Sequence, residues 1–120
     1  MKELEDIQDQ YNVSLETSRG WNKLIFQLLT DITKTLTAFS VPLENLYIQQ
    51  IKSKFGELRF YYHLDCDLPL VLYMIDKLVN EAEINSATIC EKCGNPGNKK
   101  EIKNWLITLC NQCLFVHNCP

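Results

Sequence analysis

The chain has 120 residues, 46% of them hydrophobic, enough for one domain with a modest core. Fifteen acidic residues against twelve basic ones leave a net charge of −3, the reverse of the balance that phosphate-neutralising proteins carry. The most apolar run, Leu68 to Ile75, spans eight residues and includes Pro69. That falls far short of the ~20 residues a bilayer-spanning helix needs. No membrane partner is expected.

The segment Met1 to Gln10 is acidic and lacks the apolar stretch of a secretory signal, so the expected compartment is the cytoplasm. Leu4, Ile7, Tyr11 and Leu15 recur at steps of three and four and predict an amphipathic helix over Glu3 to Glu16. Ser18, Arg19 and Gly20 interrupt it. A second helix follows, with Trp21, Leu24, Ile25, Leu28, Leu29, Ile32, Leu36 and Phe39 on one stripe. Ser40, Val41 and Pro42 end it, because a residue before proline avoids the helical region.

Two β-prone runs, Leu46 to Ile51 and Glu57 to His63, flank Lys52 to Gly56 and predict an antiparallel hairpin with Gly56 in its turn. Leu46, Ile48, Leu58, Phe60 and Tyr62 would face the core. Tyr47, Gln49, Arg59, Tyr61 and His63 would face outward, either as an ordinary solvated face or as a partner surface. Asp65 and Asp67 precede Pro69 and predict the start of a long helix that runs to about Asn85. Its main stripe is Leu68, Val71, Leu72, Ile75, Leu78, Val79 and Ala82. Leu70, Tyr73 and Met74 lie off that stripe, so the first two turns are apolar nearly all round. Enclosure by the hairpin and first helices is the favoured reading, with a dimer through Leu68–Ile75 as the alternative.

The chemistry concentrates after residue 89. Cys90 and Cys93 form one Cys-x-x-Cys pair, Cys110 and Cys113 another, with sixteen residues between Cys93 and Cys110. That spacing is the pattern of a four-thiolate zinc site. Two intervening residues let both sulfurs point at one ion, and two such knuckles enclose it tetrahedrally at ~2.3 Å per sulfur. Gly94-Asn95-Pro96-Gly97 predicts a turn, and Trp105 to Leu109 a strand into the second knuckle, the arrangement of a zinc ribbon. The expected cofactor is one structural Zn²⁺ held by all four cysteines. A disulfide pair and redox Cys-x-x-Cys chemistry are the alternatives, disfavoured by compartment and by the lack of a βαβ setting. A shell of four thiolates leaves no position for water, so no enzymatic role is expected.

His63, Cys66, His117 and Cys119 could make a second metal site, but their positions follow no ligand spacing. Between Cys90 and Cys113, four lysines oppose two glutamates, and a zinc tetrathiolate centre brings the module near neutrality. Lys99, Lys100 and Lys103 can still aim at phosphate, which keeps a nucleic-acid-binding regulator as the alternative function.

Read in order, "GWNKLIFQLL", "IQQIKSKFGELRFYY" and "CEKCGNPG…WLITLCNQC" resemble a group of short bacterial and phage proteins. These share a Gly-Trp helix, a hairpin with an IKxKFGxLRFY-like sequence and a C-terminal four-cysteine ribbon. The resemblance covers Gly20 to Cys113 and implies zinc ligation by Cys90, Cys93, Cys110 and Cys113. Glu57 stands where the group has a second turn glycine, and lysines replace a small, Arg-bearing stretch before Trp105. The setting it implies is a bacterial or phage accessory protein that acts on a host protein, such as a defence factor. The expected fold is α+β: N-terminal helices, a β-hairpin, a long helix and a four-cysteine zinc ribbon. Residues 1–86 form the core, 87–116 the ribbon packed on it and 117–120 a tail. The candidate partner surface is Tyr47, Arg59, Tyr61, His63, Lys99, Lys100 and Lys103.

Overall fold

The computed structural model describes residues 2–116, and their fold is α+β. The first helix, α1 (Lys2–Tyr11), buries Leu4 and Tyr11. It stops five residues earlier than its apolar stripe predicts. Asn12 adopts a left-handed φ of 51°, and the amides of Asn12 and Val13 close back onto the carbonyls of Asp9 and Gln8. That double bond is a Schellman cap, for which Asn is a favourable residue. Leu15 and Glu16 then leave helical geometry and form β1 (Leu15–Glu16), paired in parallel with Ile51 and Lys52.

A 3₁₀ turn at Arg19–Trp21 leads into α2 (Asn22–Ala38). Ile25, Leu28, Leu29, Ile32 and Leu36 are buried along it; Leu24 is half-buried, and Phe39 lies past its end and is exposed. Each fully buried side chain of this size contributes about 1.5–3 kcal/mol. The helix ends in a second Schellman cap. Ser40 takes the left-handed conformation at φ 56°, and the Val41 amide reaches the Leu36 carbonyl. Val41 and Leu36 are both buried, so an apolar contact accompanies the cap. Pro42 follows this stop without causing it.

After a 3₁₀ turn at Leu43–Asn45, β2 (Leu46–Lys54) and β3 (Glu57–Leu64) form the hairpin, giving a sheet ordered β1-β2-β3. The strands are longer than expected, and the turn is only Phe55-Gly56, with φ of 56° and 78°. Positive φ at both central residues makes it the primed turn whose twist suits a hairpin. Lys52 to Lys54 thus belong to the ladder, and Glu57 opens β3 opposite Lys54. The register shifts between Ile48 and Gln50. This bulge lets Ile48 and Ile51, three residues apart, face the core together.

The long helix α3 (Pro69–Ser86) packs against α2 and β3 through Val71, Ile75, Val79, Ala82 and Ser86. It is not enclosed. Leu70 and Tyr73 are 57% and 63% exposed, and Leu68, Leu72 and Ile84 are exposed too. The helix meets its neighbours along one stripe only, so the apolar residues opposite it remain in solvent. Its inner side also covers part of the sheet's edge. The outward amides of Leu58 and Phe60 on β3 donate to Ser86 Oγ and Glu83 Oε2, each at 2.9 Å.

Two outcomes follow from these contacts. Ser86→Ala strands the buried Leu58 amide and is expected to cost about 1–3 kcal/mol in urea unfolding. Tyr62 is half-buried and donates to Asp76, and burial, then the Asp76 charge, pushes its phenol up to about 12. Because that value lies above the ordinary value of 10.0, the neutral phenol's contribution is complete below the ordinary value and disappears as pH rises through about 12. Phenolate absorbance should show Tyr62 ionising late, alongside Tyr11, which burial also raises, and only the Tyr62 step should move toward the ordinary value in Asp76→Asn.

Candidate metal centre

Past α3 the chain turns at Ala87 to Ile89 and enters the first cysteine loop. The Cys90 amide donates to the Asn95 carbonyl (2.8 Å), and the Gly94 amide to the Cys90 carbonyl (2.9 Å). Gly94 sits at φ +85°, where an L side chain is strained. The ribbon follows as β4 (Asn98–Ile102) and β5 (Trp105–Leu109), joined by Lys103-Asn104 with both φ positive. Cys110 comes next, and Cys113 lies in the first turn of α4 (Asn111–Val116) with its amide directed at the Cys110 sulfur (3.4 Å).

The four sulfurs of Cys90, Cys93, Cys110 and Cys113 lie within 4.8 Å of one another and could hold one metal ion. Cys93 and Cys110 Sγ are 3.6 Å apart. A tetrahedral shell at ~2.3 Å per bond requires sulfurs about 3.8 Å apart, so the spacing suits a tetrathiolate site. Cys90, Cys110 and Cys113 are buried and Cys93 is half-buried.

Burial pushes the Cys90 thiol up, but the backbone amides of Cys110, Cys93 and Lys92 together outweigh it and leave the thiol below its ordinary value. Cys93 is raised, by desolvation first and by the neighbouring sulfurs of Cys110 and Cys90. Cys90 is therefore the readiest thiolate of the two. Cys113 is disulfide-bonded in this structure, so its service as a fourth thiolate requires reduction.

The module is fastened to the core by residues that the sequence reading passed over. Glu91, between the first two cysteines, is 4% exposed. Its carboxylate accepts from Ser53 Oγ on β2 (2.7 Å) and from the Thr108 amide on β5 (2.8 Å). Its own amide donates to the Thr108 carbonyl, and its carbonyl accepts from Gly20. Thr108 Oγ1 donates to the Gly56 carbonyl in the hairpin turn (2.6 Å).

The Gly-Trp pair belongs to the same junction. Trp21 Nε1 donates to the Ile89 carbonyl (2.9 Å). A Cβ on Gly20 would lie 2.2 Å from the Cys90 carbonyl oxygen. Trp21 and Ile89 stand 68 positions apart, and nothing local in the sequence marks that they meet.

The expected partner residues divide. Tyr47 and His63 sit opposite each other and stack at 6.3 Å, with Tyr61 beside them and the Lys52 ammonium 5.9 Å from its ring centre. Arg59 and Lys99 both pair with Glu57, at 3.4 and 2.6 Å. These two contacts hold the Glu57 carboxyl below its ordinary value, with the Lys99 hydrogen bond the largest cause. Lys100 donates to Asn111 (3.4 Å), and Lys103 occupies the ribbon turn. Lys99 and Lys100 are neighbours on β4 and so lie on opposite faces of the ribbon strand.

His63 and Cys66 form no ligand cluster among the described residues, and His117 and Cys119 lie outside them. Among those residues, no helix is long and apolar enough to cross a membrane. Comparison with protein-family models, curated proteins and solved structures finds no match for this chain.

Gly20→Ala should push the first knuckle off the core. A cost of about 1–3 kcal/mol in chemical unfolding is expected, as for an overpacked interior, together with weaker metal retention in a chelator competition.

Proposed function

We propose that this chain is a non-enzymatic zinc-binding accessory protein, bacterial or phage-encoded, that works by contact with a host protein such as a defence factor. The observation that carries the reading is the convergence of four cysteine sulfurs within 4.8 Å, in a module bonded to the tip of the hairpin. Four thiolates close the coordination shell, so the ion would hold the fold in place and offer no position for substrate. Zinc is the metal that best suits this donor set and spacing.

The hairpin's outer face supports the contact reading. Tyr47 and Tyr61 are 57% and 40% exposed, with His63 and Arg59 beside them, and Tyr and Arg are enriched where partners bind. A nucleic-acid role is weaker, because Arg59 and Lys99 share Glu57 and are partly neutralised. Exposed Leu70 and Tyr73 on α3 offer a second contact area that a second copy of the chain could use.

The test uses reduced protein loaded with zinc. Native mass spectrometry should find one zinc per chain, lost in Cys110→Ser and on chelation. Tagged protein recovered from a host lysate after nuclease treatment should retain a stoichiometric protein partner. Tyr61→Ala and Arg59→Ala, in protein that still folds, should weaken that contact by roughly thirtyfold if they act as hot spots of about 2 kcal/mol. Loss of all partners on nuclease treatment would overturn the reading, and so would a turnover abolished by Cys110→Ser in folded protein.

A further inference from the structure

A cleft of about 730 Å³ opens between the start of α2 and the first cysteine loop, lined by Arg19, Asn22, Lys23 and Gln27 on one side and by Ile89, Cys93 and Asn95 on the other. Its volume lies in the range of small-molecule sites. The charge of its α2 wall is one-sided, and that wall faces Cys93, which is anionic when the sulfurs hold a metal ion. Both ionisable residues of the α2 wall are cationic and no carboxylate lines it, although acidic residues outnumber basic ones in the chain. Neither cation makes an ion pair among the described residues, where Glu57 takes both that occur.

Arg19 uses its Nε to hold the Lys92 carbonyl, which fixes the guanidinium at the rim and leaves its terminal nitrogens as donors. Lys23 and Gln27, four apart on α2, share one side of the helix, and Arg19 reaches the same cleft from the 3₁₀ turn before it. Leu24 and Ile89, both half-buried, add apolar surface. The helix end itself offers little, because the amides of Gly20, Trp21 and Asn22 are taken by the carbonyls of Glu91, Ser18 and Arg19.

We infer that this cleft binds a small organic anion, a carboxylate or phosphate on an apolar body, with Arg19 and Lys23 meeting the charge and Leu24 and Ile89 the body. The site depends on the docking of the cysteine loop against Gly20 and not on which metal the sulfurs hold. It is independent of the contact surface on the hairpin.

The test is an amide NMR titration of the reduced, zinc-loaded chain with phenyl phosphate, benzoate, inorganic phosphate and, as the uncharged control, benzyl alcohol. Zinc content is measured on the same sample, so a failed metal reading is seen separately. Saturable shifts confined to residues 19–27 and 89–95 are expected with phenyl phosphate or benzoate, and whichever binds more tightly identifies the headgroup. Lys23 is exposed, so Lys23→Glu should keep the fold and weaken binding by at least about tenfold, as for loss of a charge-assisted contact. Arg19→Lys, which keeps the charge but not the planar fork, should weaken it less. Three results overturn the inference: no saturation with either organic anion, equal shifts with benzyl alcohol, or unchanged affinity in Lys23→Glu.

Discussion

The buried carboxylate of Glu91 is the contact on which the rest of the arrangement depends. It lies between the first two cysteines, yet its bonds go outward, to the hairpin through Ser53 and to the ribbon through the Thr108 amide. The backbone of the same residue binds Thr108 and Gly20. A carboxylate taken from water is tolerated only with partners, and without this one the buried Thr108 amide would lose its acceptor, at about 1–3 kcal/mol. One side chain thus sets the distance between the cysteine loop, the ribbon and the sheet.

Around that contact the close approaches fall into place. Gly20 has no Cβ because the Cys90 carbonyl occupies the space. Gly97 lies under the Leu109 backbone, where an added Cβ would come within 2.8 Å. Trp21 serves two purposes, with its ring fully buried in the core and its indole nitrogen bonded to the turn before Cys90. The ordering of the cysteines is therefore coupled to the packing of α2. An ion bound by the sulfurs would stabilise both, since binding energy at a site that forms only on folding is folding energy.

Local features were legible in the sequence. Cys-x-x-Cys spacing fixes where sulfurs can point, and the alternation of Leu58, Phe60 and Tyr62 fixes which side of a strand faces inward. The apolar stripe of α2 was legible for the same reason, because period and burial are both properties of the helix alone. What escaped depends on contacts between distant segments. Nothing near Asn12 shows that its left-handed conformation ends α1, or that Leu15 pairs with Ile51. The Gln49 bulge breaks the alternation that sequence reading relies on. Ser86 and Glu91 read as ordinary polar residues because their partners lie 28 and 17 or more residues away. The exposure of Leu70 and Tyr73 ran against their hydrophobicity, since hydrophobicity does not say how many sides of a helix find neighbours.

The capping of β3 by α3 limits how anything else can meet this sheet. The amides of Leu58 and Phe60 are already spent on Ser86 and Glu83, and β1 occupies the far edge of β2 at Ile51 and Lys52. Over the half of the hairpin nearest its turn, neither border offers a free run of backbone. An incoming segment cannot extend the sheet there as an added strand. Recognition at that end is left to side chains on the flat of the sheet, which makes it a matter of shape and chemistry and gives poor footing to the indiscriminate pairing that open edges invite.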